Sequence, residues 1–556
     1  MQTARRLYLY LMAAIGLGVM VSGLSLLLTT LFETLGLGGG SVLTGEQAIR
    51  ERLTLATAMS AVSLPVWLIH WFVAERGVRP GHPDADLERS SAVRGLFLAA
   101  VLGASLIAMF VSAQTLIESA VLWLAGASTE FRSPASALGL LVAAGAAWEY
   151  HLHVRRRDWR DGRVAGAGAW LPRAYLYVAA AVGLFVLLFG IVALVELIGQ
   201  ALSGGSEPVL GDEPTWWAFP LATALSSSVV GGATWLGHWW YANRLWSDAG
   251  ERGATERTAR LRFAFYVAVL VGAATAAIAY LGQVGRMLLD MVLGTDGLAR
   301  EGATDLAASL VAAAIFAAAW GLHARWLRAA TADPAAPARA DRLTAYPTAL
   351  VGLAFGAVAV ARLFAVALAT LLGSGRLVSG AEAGERAVAE FLPYAAIGIA
   401  VWLWHWSRVT APVRAAPAAE AASTIRRAAL LLAMAAGILA GVASLGVILY
   451  RMFGTLFGLD APGDVAAELS TPIGTLIVAA AVAGYHGQLL RRDGALRAAA
   501  EEPPPADAVA APIAPELALR LTGPAGADAD ALSAVARSLA DHVPEGYELR
   551  DDRRMS

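Results

Sequence analysis

Six of the nine histidines in this chain recur at a nearly constant interval: His70, His151, His238, His323, His405 and His486, separated by 81, 87, 85, 82 and 81 residues. Five of them have a tryptophan three positions earlier, Trp67, Trp148, Trp235, Trp320 and Trp402, whereas Ala483 precedes His486 and Tyr485 adjoins it. Residues three apart share a helix face, so imidazole and indole would line one stripe. Such a stripe could supply axial ligands to a haem or another metal, imidazole being the commonest ligand for both. No matching set of carboxylates or thiols accompanies it, so no metal ligands are assigned and the cofactor stays unknown. The other reading is an interfacial belt, in which Trp and His sit at headgroup depth and tie neighbouring helices together. The belt carries more weight, because aromatic belts recur across membrane proteins of every function.

A second source of chemistry is charge inside apolar sequence. Arg362 and Glu196 both fall deep within long apolar runs. An arginine at such a depth costs about 2.5–3.5 kcal/mol on insertion scales, so it must face protein or water. Two readings stay open: a substrate or proton pathway, or a structural ion pair such as Arg362 with Glu196, the second given more weight. Gln114 and Gln283 align in neighbouring repeats and are candidates for bonds between helices. The phosphate-binding GxxxxGK[ST] loop, HExxH, CxxC and GxSxG are all missing. No catalytic residues are assigned, and the chain reads as non-enzymatic.

The elements that must carry these residues follow from composition. The 556 residues are 57% hydrophobic and 15% charged, with a mean hydropathy of +0.58. A soluble fold could not keep that much apolar surface from water. There is no Cys and no Lys, and the net charge of −2 gives no attraction to nucleic acid. A hydrocarbon core of roughly 30 Å needs about 20 apolar helical residues. Twelve segments approach that length: 7–32, 53–75, 93–117, 135–155, 174–200, 216–241, 261–285, 304–327, 346–372, 391–408, 428–452 and 472–490, with 391–408 the shortest. The first is too long for a signal peptide and reads as a membrane helix. Arginine clusters follow every second segment, as at Arg155, Arg156 and Arg157 or at Arg491 and Arg492, while the opposite loops are mostly acidic. By the positive-inside rule both termini are cytoplasmic.

The period defines six two-helix units, and these alternate. His70, His238 and His405 are each followed by a tryptophan, and the first and third units open RRLYLYL and PRAYLYV. The larger repeat is therefore a four-helix module present three times in one orientation. These segments, each leading into a long Leu/Gly/Val helix, resemble a bacterial multi-pass membrane family known only as a domain of unknown function. The resemblance covers nearly all of residues 1–497 and implies an integral membrane location, without an activity or cofactor.

The expected fold is all-α and membrane-spanning: modules at 1–166, 167–342 and 343–497, a flexible linker at 498–515, and a small cytoplasmic α/β appendix at 516–556. The appendix would hold strands at 516–523 and 546–551 around a helix. The expected function is a scaffold or sensor in the bacterial plasma membrane, partnered by the bilayer and other membrane proteins. A small-solute transporter or channel, and a haem- or metal-binding redox protein, are the alternatives.

Overall fold

A computed structural model describes residues 2–37, 46–127, 134–202, 215–257, 259–294, 297–331, 338–371, 381–457, 465–501, 529–540 and 542. Among the described residues the regular secondary structure is helical. Twelve helices are long: α1 (Gln2–Phe32), α2 (Glu46–Arg76), α4 (Ala92–Leu124), α5 (Pro134–Asp161), α6 (Gly166–Leu202), α7 (Ala218–Trp246), α9 (Arg260–Leu293), α10 (Gly297–Ala330), α11 (Ala338–Leu371), α12 (Ala381–Ala415), α14 (Thr424–Leu456) and α15 (Val465–Glu501). Four short helical segments lie between them among the described residues: a π-helical turn (Glu33–Leu37) directly after α1, and α3 (Ala85–Arg89), α8 (Glu251–Arg257) and α13 (Pro417–Ala421). Residues 1–497 form one compact unit and 498–556 another. The second unit contributes helix α16 (Ala529–Ala540), where a helix is expected; the two expected strands lie outside the described residues.

Among the described residues, ten of the long helices are long and apolar enough to cross a membrane, where twelve are expected. The two that fall short are α5 and α7. Helix α5 carries Glu149, His151, His153, Arg155, Arg156, Arg157 and Asp158 in its second half, and α7 is rich in Ser, Trp and Thr. The long helices also outrun their apolar cores: the segment expected to be shortest, 391–408, is the centre of a 35-residue helix containing Pro393 and Pro412. A hydropathy reading sees the apolar stretch, whereas the backbone ladder continues into polar sequence until a glycine or loop ends it.

The long helices group in fours, and each group is termed a module. In the first, α1 packs on α2 and α5, and α4 packs on α5. In the second, α6 packs on α7 and α10, and α9 on α10. In the third, α11 packs on α12, and contacts of Gly474 with Ala361 and of Gly437 with Ala479 bring α15 against α11 and α14. Each module has an apolar core: Tyr10, Leu17, Trp71, Phe97 and Val101 in the first; Leu184, Trp239, Phe265, Leu270 and Phe316 in the second; Tyr346, Trp406 and Leu430 in the third.

The modules join in series through one repeated junction. Helix α4 packs on α6 and α7, and α9 packs on α11 and α12. Close helix approach inside each module depends on a repeated glycine. A Cβ on Gly16, Gly183 or Gly352 would lie 2.9, 2.6 or 2.7 Å from the backbone nitrogen of Trp67, Trp235 or Trp402. Small residues permit this contact where lipid supplies no hydrophobic force between helices.

Candidate functional site: the histidine stripe and the buried arginines

The stripe histidines share one local geometry. In His70, His151, His238, His323 and His486, Nδ1 donates to the carbonyl four residues earlier at 2.7–2.8 Å. That bond fixes the tautomer and leaves Nε2 as the acceptor. His405 departs from the pattern, its Nδ1 being buried without a partner.

The six rings nevertheless form two sets. His151, His323 and His486 lie inside modules, each against the tryptophan that follows the preceding histidine or its neighbours. His151 contacts Trp71 and Phe97, His323 contacts Phe265 and Trp326, and His486 contacts Trp406. The Nε2 atoms of these three are buried without a partner. His238 and His405 lie instead at the junctions. Trp148 of the first module donates to the Tyr175 hydroxyl at 2.8 Å, and that hydroxyl donates to His238 Nε2 at 2.9 Å. Trp320 meets His405 edge-on at 5.5 Å and donates to Thr348. His70 takes a longer bond, 3.2 Å, from Tyr8 of its own module. Five of the six rings are buried and His70 is partly exposed, and each ring packs against an aromatic ring of another helix. Among the described residues no three His, Asp or Glu side chains converge as a metal-ligand group.

The other predicted site residues do not meet. Arg362 lies exposed on α11 with its guanidinium 5.2 Å from the Phe391 ring, and Glu196 lies exposed on α6. No ion pair joins them among the described residues. Gln114 does bridge helices, donating to Ser227 at 3.3 Å. Its counterpart, however, is Gly282 and not Gln283, because Phe97 and Phe265 stack alike on Trp71 and Trp239 and fix the register at 168 residues.

A denser polar cluster sits at the arginine-rich end, on residues that sequence reading either took only as topology signals, as with Arg342 and Arg426, or passed over. Arg94, third in α4, is fully buried. Its guanidinium donates to Asp158 at 2.7 and 3.0 Å, to Glu75 at 2.8 Å and to the Tyr10 hydroxyl at 3.0 Å, joining all four helices of the module. Arg426 repeats this in the third module with Asp493 at 2.7 and 3.2 Å and Tyr346 at 3.2 Å. Ser91 and Ser423 cap the two helices by accepting from the Arg94 and Arg426 amides.

The second module keeps the arginine and drops the acids. Asn243 replaces Glu75 and Ala330 replaces Asp158, counting from the stripe histidines. Arg262 is 4% exposed. Its Nη2 donates to Asn243 at 2.8 Å and Tyr266 at 3.3 Å, while Nε and Nη1 have no partner. The Trp246 ring at 4.3 Å and the Trp239 ring at 5.0 Å cover it by cation–π contact instead.

A second repeated pair closes each module. Arg6 bonds Glu88 of α3 at 2.7 Å, Arg173 meets Glu256 of α8 at 3.4 Å, and Arg342 bonds Glu420 of α13. Each glutamate precedes its buried arginine by six residues. That spacing, with arginines at 94, 262 and 426, was the sequence signal for the cluster. Where arginine and acid meet, guanidinium and carboxylate neutralise each other, whereas Arg262 keeps two nitrogens without a bonded partner.

Neither a curated protein nor a solved structure matches the chain. One family matches three times, over residues 6–146, 173–312 and 342–484, beginning each time at the arginine that pairs with α3, α8 or α13. These segments cover most of the sequence, and the chain therefore belongs to the family described as Domain of unknown function (DUF5671), of which it carries three tandem copies.

Proposed function

We propose that the chain is a twelve-span protein of the bacterial inner membrane with both termini in the cytoplasm. It acts as a non-enzymatic scaffold or sensor and presents its C-terminal unit to cytoplasmic partners. The observation that supports this reading most is the repeated cluster at the arginine-rich end. Arg94 and Arg426, with the three Arg–Glu closures, tie helices together within their own modules. Helices α5 and α7 count as spans in this reading because they run antiparallel along α4 and α6. Asp158 at the end of α5 meets Arg94 at the start of α4, and contacts of α7 with α6 run from Gly190–Ser228 to Tyr175–His238. The positive-inside rule puts the arginine-rich end in the cytoplasm.

The test is a comparison of native membrane complexes from cells with the full chain, without it, and with residues 498–556 removed. Complexes lost in both altered strains support a scaffold; an unchanged complement in both overturns it.

A small-solute transporter is the second reading, favoured by a mainly apolar cavity of about 780 Å³ with hydroxyl groups in its wall, within the first module. Hydroxyls of Ser22, Ser25, Thr29 and Ser112 line it, with the Glu33–Arg52 pair, 2.9 Å apart, at its rim. Uptake of small polar solutes by proteoliposomes would support it, and tight vesicles would remove it.

A further inference from the structure

The two module junctions use equivalent helices in the same register but are filled differently. At the second, the Tyr394 ring of α12 seats on Gly282 of α9, so closely that an added Cβ would come within 2.1 Å of it. At the first, the corresponding pair is Ser227 on α7 and Gln114 on α4, joined by one hydrogen bond. A cavity of about 510 Å³ remains there between α4, α5, α6 and α7. Ligand sites commonly measure roughly 300–1,000 Å³.

The cavity is amphipathic along its length. Leu106, Phe110, Leu141, Leu152 and Val230 give it apolar walls, and Arg155, Arg156 and Tyr241 stand at its arginine-rich end. From Leu141 to Arg155 is fourteen residues of α5, about 21 Å at 1.5 Å per residue. One leaflet's hydrocarbon is about 15 Å deep, so the slot accommodates a chain anchored at the headgroup level.

Arg155 is the informative residue. It is 5% exposed and lines the cavity, yet it makes no hydrogen bond or ion pair among the described residues. Its contact is the Tyr241 ring, 5.7 Å from the guanidinium carbon. The nearby Trp148–Tyr175–His238 chain is satisfied within itself. Arg156 has Glu149 at 3.8 Å, both largely exposed. The opposite charge that acts on Arg155 is that of Glu256, which already pairs with Arg173 at 3.4 Å. A buried guanidinium with no carboxylate bonded to it is costly, and an occupant that brings a negative charge to this slot offsets that cost. The fold itself does not need the cation. The equivalent position at the second junction is Leu327, fully buried in the core.

We propose that the cavity binds one acyl chain of an anionic phospholipid, with the lipid phosphate on Arg155. Guanidinium matches phosphate bidentately, and the cytoplasmic leaflet is rich in anionic lipid. The proposal rests on the membrane location given above and not on the scaffold role.

The test uses the full chain extracted in neutral detergent, with bound lipid counted by native mass spectrometry. The probes are phosphatidylglycerol, phosphatidylcholine and inorganic phosphate. Wild-type protein retains one phosphatidylglycerol. Arg155→Leu, which installs the residue of the second junction, weakens retention by about tenfold or more, the scale of one lost charge-assisted bond. Gly237→Leu keeps Arg155 but fills the slot from a position that meets open space, and it also loses the lipid. Exposed Arg76→Leu changes nothing. Equal retention in Arg155→Leu overturns the proposal, as does equal loss in Arg76→Leu, equal binding of phosphatidylcholine, or binding of inorganic phosphate alone. Release of the protein from membranes by alkaline carbonate would instead defeat the membrane location.

Discussion

Arg94 of α4 and Asp158 of α5 face each other as a bidentate pair inside the first module, at 2.7 and 3.0 Å, with neither side chain more than 5% exposed. Breaking a buried pair from one side leaves an uncompensated charge, at a cost of about 3–5 kcal/mol. Asp493→Ala, which leaves Arg426 with no carboxylate, is therefore expected to lower the thermal midpoint in detergent sharply, and Asp158→Ala, which leaves Glu75 bonded to Arg94 at 2.8 Å, to lower it less. A midpoint unchanged in both would mean that water reaches these arginines.

Arg262 gives the reverse expectation. Asn243 Oδ1 already accepts from its Nη2 at 2.8 Å, so Asn243→Asp puts a carboxylate at that place without changing shape. The bond becomes charge-assisted, worth about 1 kcal/mol more than its neutral counterpart. Stability should rise by that order in an unfolding series; a fall would show that the aromatic cover of Trp239 and Trp246 already suffices.

Two glycines of α1 separate packing from composition. Gly16 lies against the Trp67 backbone, while a Cβ on Gly18 would meet nothing within 4 Å. Gly16→Val should destabilise by about 1–3 kcal/mol, the usual range for overpacking, and Gly18→Val should be nearly neutral. Equal effects would mean that α1 and α2 are not held at this distance.

The histidine stripe makes a spectroscopic prediction. Its Nδ1 atoms are committed to carbonyls in five rings, and the unpartnered Nε2 atoms sit in separate aromatic pockets of different modules. Purified protein is expected to show no haem band, and chelator washing should leave its thermal midpoint unchanged. A band or stoichiometric metal that disappears when all six histidines become Ala would make the stripe a cofactor site.

The chain has no cysteine, so topology can be read from single substitutions. Ala127→Cys follows α4, Arg163→Cys follows α5 and Ser247→Cys follows α7. If α5 and α7 cross, an impermeant thiol reagent outside the cell labels position 127 and spares 163 and 247. Labelling of 163 from the same side as 127 would reduce the span count.

The helices and their period were legible because long apolar runs and repeated His–Trp spacings survive divergence between units. The buried arginines were not, although Arg426 was visible as part of a basic cluster. An arginine beside a helix start reads as topology until its partner is known, and Asp158 and Asp493 lie 64 and 67 residues downstream. Arg362 failed in the opposite way. Its depth in an apolar run suggested a buried partner, yet it lies on an outward face over Phe391. Depth along a helix was readable from the sequence, but the face was not, because α11 is apolar nearly all round.

The differing junctions have a consequence for how such a chain can be rearranged. Gln114 is cut to meet Ser227, and Gly282 to receive Tyr394. If the third module were spliced directly behind the first, Gln114 would confront the Tyr394 ring; a second module placed after another second module would leave Gly282 opposite Ser227, with a void between them. The three tandem copies match one family, but their order has become a word whose letters no longer commute.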